Sequence, residues 1–133
     1  MAPNAAMETT RGWVVLVLKG AGSSPRVARY ALHLAGRMEA GLDVLLLSAR
    51  GREPNLLKAL RREAAGAGID CRLTRLAEED PWRAMGRYAH DHRRVLMAVV
   101  DSDDLPPQGK EGVGRSPFPV TAVKAASLAG GES

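Results

Sequence analysis

The chain has 133 residues, 45% of them hydrophobic, with a net charge of +4 and an isoelectric point near 9.7. That length implies one domain able to bury a core, and this balance excludes a disordered chain. Aromatic residues make up only 4%, too few for the stacking platforms of a nucleic-acid binder.

The basic excess is arginine, chiefly Arg26, Arg29, Arg37, Arg50, Arg52, Arg61, Arg62, Arg93 and Arg94. These residues fall on several expected helix faces beside glutamates, and they read as a solvated surface. The single Cys71 cannot form an internal disulfide and suits a reducing compartment. "MAPNAAMETT" has no charged segment followed by an apolar core, so no secretory signal is expected. The longest apolar runs, "WVVLVL" and "VLMAVV", are far shorter than the ~20 residues that span a bilayer. The expectation is a soluble cytoplasmic protein with no membrane and no nucleic-acid partner.

In chain order, "WVVLVLKG" (Trp13–Gly20) predicts a Val-rich strand buried on both faces. Ser24 and Pro25 then suit the cap and first turn of a helix. Val27, Tyr30, Ala31, Leu34, Ala35 and Met38 recur at helical spacing along its inner stripe, and Gly41 offers a stop. "LDVLLLSA" (Leu42–Ala49) predicts a second buried strand. A second helix opens at Pro54, lines one face with Leu56, Leu57, Leu60 and Ala64, and ends at Gly66 and Gly68.

"IDCRLTRLA" (Ile69–Ala77) alternates apolar Ile69, Cys71 and Leu73 with polar Asp70, Arg72 and Thr74. That predicts a strand with one wet face, near a sheet edge. Asp80 and Pro81 start a third helix with Trp82, Met85, Tyr88 and Ala89 inward. "VLMAVVDSDD" predicts a fourth strand and "FPVTAV" (Phe118–Val123) a fifth. Between them, 102–117 carries "LPP" and "GKEGVG" and no helical periodicity.

Strands alternating with helices imply βαβ units and a largely parallel sheet. The expected fold is α/β: a three-layer Rossmann-like sandwich with a mainly parallel five-stranded sheet, its fourth helix shortened or missing. The domain is expected over 12–125, with disordered tails at 1–11 and 126–133.

Several motifs taken together resemble the universal stress protein (UspA-like) family, over about Trp13 to Val123. "SSPRVARYALHLA" (Ser23–Ala35) resembles the family's "Ser-x-x-Ala-x-x-Tyr-Ala-x-x-Leu-Ala" helix. "GLDVLLLSA" resembles its second strand. The run from "AAGAGIDC" through "EEDPW" to "VLMAVV" resembles its Gly-Asp-Pro segment and flanking elements, and "PFPVTAV" its closing strand. The resemblance implies an adenine-nucleotide alpha hydrolase-like fold and, for the ATP-binding members, two features. One is an Asp after the first strand that helps hold the adenosine end of ATP; this sequence has Lys19. The other is a Gly-x2-Gly-x9-Gly-Ser/Thr loop after the fourth strand. Gly109 and Gly112 match its first half, but ten residues beyond Gly112 stands Ala122, inside the expected last strand. The resemblance therefore implies a degenerate member lacking the complete glycine motif.

The residues themselves leave candidate sites open. "GKEGVGRS" offers Gly109, Gly112, Gly114 and Ser116 for backbone approach to a phosphate, with Lys110 and Arg115 as charge partners. It does not lead into a helix N-terminus, and a linker is the plainer reading. "KGAGSS" lies at the carboxyl end of the first strand, where open α/β sheets bind ligands. Lys19 with Gly20, Gly22 and Ser23 could hold an anion there, beside the backbone of Leu47. Asp101, Asp103 and Asp104 could suit a hard cation, or form a solvated turn. His33, His90 and His92 share no ligand spacing, so no metal site is expected. Cys71 reads as a small core residue. No nucleophile-base grouping appears, and no catalytic residue is assigned.

Two functions follow. One is a non-catalytic universal-stress-type regulatory or interaction protein without a cofactor. It would have lost ATP binding and would dimerise through the last strand, with Phe118 and Val120 at the interface and a further regulatory protein as partner. The other is a switch that binds ATP or AMP through the Lys19 turn and the 109–116 loop, with slow hydrolysis only where that site is intact.

Overall fold

The structure is a computed structural model, and the residues it describes are 12–19, 25–47, 55–78, 80–91, 94–101 and 118–124. The two expected tails lie outside them. Eight elements follow one another: β1 (Trp13–Leu18), α1 (Pro25–Arg37), β2 (Gly41–Leu46), α2 (Asn55–Gly66), β3 (Cys71–Arg75), α3 (Pro81–Asp91), β4 (Val95–Asp101) and β5 (Val120–Val123). The five strands form one sheet in the order β3-β2-β1-β4-β5, and every neighbouring pair is parallel.

Strand and helix types agree with the periodicity. β1 and β2 are buried along almost their whole length, as a central parallel strand must be. β3 lies at one edge and β5 at the other, in keeping with the alternating pattern of the first and the shortness of the second. Each strand is shorter than the segment expected for it. Expected β5, for instance, began at Phe118, and observed β5 begins at Val120.

The handedness of parallel crossovers decides the layers. β1 to β2 to β3 steps in one direction, so α1 and α2 share a face of the sheet. β3 to β4 steps back across it, so α3 lies on the other face. The core divides accordingly. Val14, Leu16, Leu42, Val44 and Val99 pack under Val27, Ala31, Leu57 and Leu60. Val15, Val17, Leu45, Leu47 and Ala98 pack under Ala84, Met85 and Tyr88. Each Val, Leu or Met side chain among these contributes about 1.5–3 kcal/mol when fully buried. The inner stripe of α1 is Val27, Ala28, Ala31, Leu32 and Ala35. Tyr30, Leu34 and Met38 are its half-buried margin, so the stripe is rotated toward Ala28 and Leu32.

The two helix ends correct one expectation. α1 does not stop on Gly41. The Ala40 N–H reaches back to the Ala35 carbonyl at 2.9 Å and the Glu39 N–H to the Gly36 carbonyl at 3.3 Å. Glu39 takes the left-handed turn with φ 54°, a position that favours glycine. α2 ends the same way with the expected residue: Gly68 has φ 71°, and Ile69 donates to the Ala64 carbonyl at 2.9 Å. Gly41 instead opens β2, for a reason that lies in Trp13.

Candidate functional site

Two places gather polar residues on this sheet, one at its carboxyl edge and one inside it. At the carboxyl edge the strand order reverses between β1 and β4, which is where open α/β sheets place ligands. Lys19, exposed, follows β1 there. The N–H of Leu47 bonds to the carbonyl of Leu18 at 2.8 Å, so Lys19 and Leu47 stand side by side as the sequence suggested. Leu47 is buried and can offer only its backbone to a ligand. On the other side of the reversal, Asp101 is the last residue of β4, opposite Val123, and only 6% exposed. It is thus part of the strand, not of a solvated turn. Neither α1 nor α2 carries an acidic residue in its first turn, so nothing on those turns cancels the positive ends of their dipoles at this edge.

Gly20, Gly22 and Ser23 of the turn, and Gly109, Lys110, Gly112, Gly114, Arg115 and Ser116 of the loop, lie outside the described residues. So do Ser24, Asp103, Asp104 and His92, and the side chain of His90. His33 is exposed on α1. Among the described residues no three His, Cys, Asp or Glu side chains gather as a metal site. No described helix is long and apolar enough to cross a membrane.

The second place was missed in the sequence. Asp43, midway along β2, is 0% exposed. Arg72 lies opposite it on β3 and donates its Nε–H to Oδ2 at 2.9 Å. Thr74, two residues further along the same strand face, donates its hydroxyl to Oδ1 at 2.9 Å. Tyr88 of α3 donates its hydroxyl to Oδ2. A buried carboxylate needs donors, and here three side chains supply them. The expected wet face of β3 keeps Asp70 and Arg72 exposed, but Arg72 and Thr74 also turn donors toward this carboxylate. Arg72 keeps 44% of its side chain exposed, and its guanidinium carbon lies 4.3 Å from the centre of the Trp13 ring.

Gly41 makes that contact possible. Trp13 pairs with Gly41, and Asp43 follows two residues on. The indole lies across the strand where Gly41 has no side chain: a Cβ there would come within 2.5 Å of Trp13 Cζ3. So Trp13 reaches over β2 to β3. The alternation of β2 would have placed Asp43 on the α3 face, but nothing in a single strand shows which donors meet it.

The cluster perturbs its members. Burial, then the hydrogen bond to the Asp43 carboxylate, pushes the Tyr88 phenol well above its ordinary pKa. Burial also raises the Cys71 thiol, with Arg61 opposing and Asp43 assisting. Three donors satisfy the one buried acceptor. The group ties α3 to two strands, roughly 10 Å along β2 from the carboxyl edge.

No protein-family model matches the sequence, and no curated protein matches it. Solved structures do. A universal stress protein from Archaeoglobus fulgidus superposes with a TM-score of 0.61 at 14% identity, covering 89% of this chain and 97% of that one. A universal stress protein in complex with cAMP gives 0.60 at 19%, covering 84% and 96%. The universal stress protein from Archaeoglobus fulgidus in complex with dAMP gives 0.57 at 17%, covering 87% and 99%. Identities this low speak to architecture: with five parallel strands, flanking helices and most of both chains covered, the chain has the fold of the universal stress proteins.

Proposed function

We propose that the protein is a non-catalytic regulatory or interaction protein of the universal-stress type, cytoplasmic, working as a homodimer without bound ATP. The observation that carries this reading is β5. It is a four-residue strand at the sheet edge, paired among the described residues with β4, and its first residue Val120 and the nearby Phe118 are half-buried. An edge strand offers its backbone to a second copy of the same strand, and a two-fold axis closes the assembly. The loss of ATP is supported by Lys19 at the turn where the family resemblance implies a carboxylate. Sedimentation velocity tests the dimer. A wild-type dimer that Val120→Asp converts to monomer is the expected result. A wild-type monomer across the accessible concentration range overturns it.

A second reading is favoured by the fold relatives solved with cAMP and dAMP. Here Lys19, Gly20, Gly22, Ser23 and the Leu47 backbone, with Gly109, Gly112, Gly114, Arg115 and Ser116, would hold ATP or AMP. Calorimetric titration with ATP and Mg²⁺, and with AMP, separates the two. Micromolar binding lost in a Gly112→Val, Gly114→Val double variant establishes the nucleotide switch. No heat at millimolar nucleotide removes it.

A further inference from the structure

The two faces of the sheet differ in charge. α1 carries Arg26, Arg29 and Arg37 and no acidic residue. α2 carries Lys58, Arg61 and Arg62 with Glu63 as its one acid, and that acid is engaged by Arg29 at 3.0 Å. All six cations are exposed, and the two helices share one face of the sheet. On the other face, α3 carries Arg83 and Arg87, and Arg87 lies 3.9 Å from Glu78. The expectation of arginines spread over several faces beside glutamates is thereby corrected for the α1–α2 layer. Glu39 and Asp70, both exposed, follow the carboxyl ends of these helices and bound the basic surface there.

The cations form rows. Arg26, His33 and Arg37 stand at i, i+7 and i+11, opposite the buried stripe of Ala28, Ala31 and Ala35. They run along the outer spine of α1 for about 16 Å. Lys58 and Arg62, four residues apart on α2, make a second row, roughly 10 Å away at the usual separation of packed helices. The other exposed residues on these helices include Pro25, Gly36, Asn55, Ala59 and Ala65. No large apolar side chain stands out from either helix: Tyr30, Leu34 and Leu56 are half-buried and the remaining leucines buried.

That surface selects among anionic partners. A protein partner calls for an apolar centre to the interface, and a lipid surface for apolar side chains that insert. A phosphate backbone needs neither. It is met by cations in rows, and five of the six here are arginines, whose forked guanidinium matches phosphate oxygens. A duplex places phosphates on both sides of a groove ~6 Å or ~12 Å wide, a spacing that rows on two neighbouring helices can straddle. The expected absence of a nucleic-acid partner rested on scarce aromatics and scattered arginines. The first bears only on stacking with single-stranded bases, and the fold removes the second. We propose that the α1–α2 surface binds duplex nucleic acid through its phosphates, without reading the sequence. The site uses neither the β5 edge nor the Lys19 turn, so it rests on neither reading of the function.

The test uses the full chain and fluorescently labelled duplexes of ~20 base pairs, titrated by anisotropy between about 50 and 200 mM salt. Phosphatidylserine vesicles and polyglutamate serve as comparators. The logarithm of affinity is expected to fall against the logarithm of salt with a slope of about −3, as for roughly three neutralised phosphates. Two duplexes of unrelated sequence should bind alike. Arg26→Ala, Arg37→Ala and Arg62→Ala should each make the slope shallower by about 1, and the triple variant should lose about 10-fold or more in affinity at low salt. Arg83→Ala removes the same charge from α3 and should leave the slope unchanged. Circular dichroism and thermal melting show that each variant remains folded. No duplex binding at low salt, tighter binding to vesicles or polyglutamate, or a strong preference between the two duplexes overturns the proposal. So do α1 and α2 variants that keep the wild-type slope, or an equal loss from Arg83→Ala.

Discussion

Tyr88 on α3 donates its hydroxyl to the carboxylate of Asp43 on β2, joining a helix and a strand 45 residues apart in sequence. Both groups are buried, so water cannot replace the bond between them. Tyr88→Phe leaves Asp43 with Arg72 and Thr74 and is expected to cost about 1–3 kcal/mol. Asp43→Ala strands the hydroxyls of Tyr88 and Thr74 and costs more, about 2–4 kcal/mol, though Arg72 can turn to water. Urea denaturation measures both. The double variant should lose less than the sum, with a coupling of about 0.5–3 kcal/mol. Additive losses would show that the bond contributes little.

The same bond sets an alkaline limit. The Tyr88 phenol has a raised pKa in the folded protein, so folding favours its protonated form. That contribution is fully present below the unfolded tyrosine pKa of about 10 and is lost as pH rises from there through the folded value. The raised Cys71 thiol acts with the same sign, beginning near pH ~8.5. In a Cys71→Ala background, stability should therefore fall between about pH 9.5 and 11, and Tyr88→Phe should flatten that fall. Urea midpoints across the range read the effect. An unchanged slope after Tyr88→Phe would assign the alkaline loss elsewhere.

Glu39 and Gly68 offer a matched pair. Both hold the left-handed residue that ends a helix, at φ 54° and 71°, but only one is glycine. Glu39→Gly relieves the side-chain penalty and is expected to stabilise by about 0.5–1 kcal/mol. Gly68→Ala introduces that penalty and costs about 1 kcal/mol. Open space surrounds a Cβ at Gly68, so conformation alone accounts for the change. Thermal melts of the two single variants should move in opposite directions.

Gly41→Ala tests the path of the Trp13 ring. The new methyl meets the indole and forces it off Arg72, at a cost of about 1–3 kcal/mol. In a Trp82→Phe background, leaving Trp13 as the sole tryptophan, its emission should shift when Gly41 is replaced. An unshifted spectrum with unchanged stability would mean that the ring is free to step aside.

Much of the architecture is written in short-range patterns. Period-two and continuous apolar runs name the strands, and 3.6-residue stripes name the helices. Asp80 was legible as a cap, and it accepts the Trp82 N–H at 2.9 Å. Lys19 and Leu47 were legible as neighbours because parallel strands bring their carboxyl ends together. These features depend on residues a few positions apart, so the order of the chain determines them. Asp43 was not legible, since its meaning depends on Arg72, Thr74 and Tyr88 reaching it from two other elements. Gly41 looked like a helix stop because its true constraint, an indole from the neighbouring strand, is a contact across the sheet. The pairing of α1 with α2 on one face was hidden for the same reason: it depends on the handedness of the crossovers. Local propensity and hydrophobic period determined what the pieces are, and packing between distant segments decided which charges are buried and which donors they share.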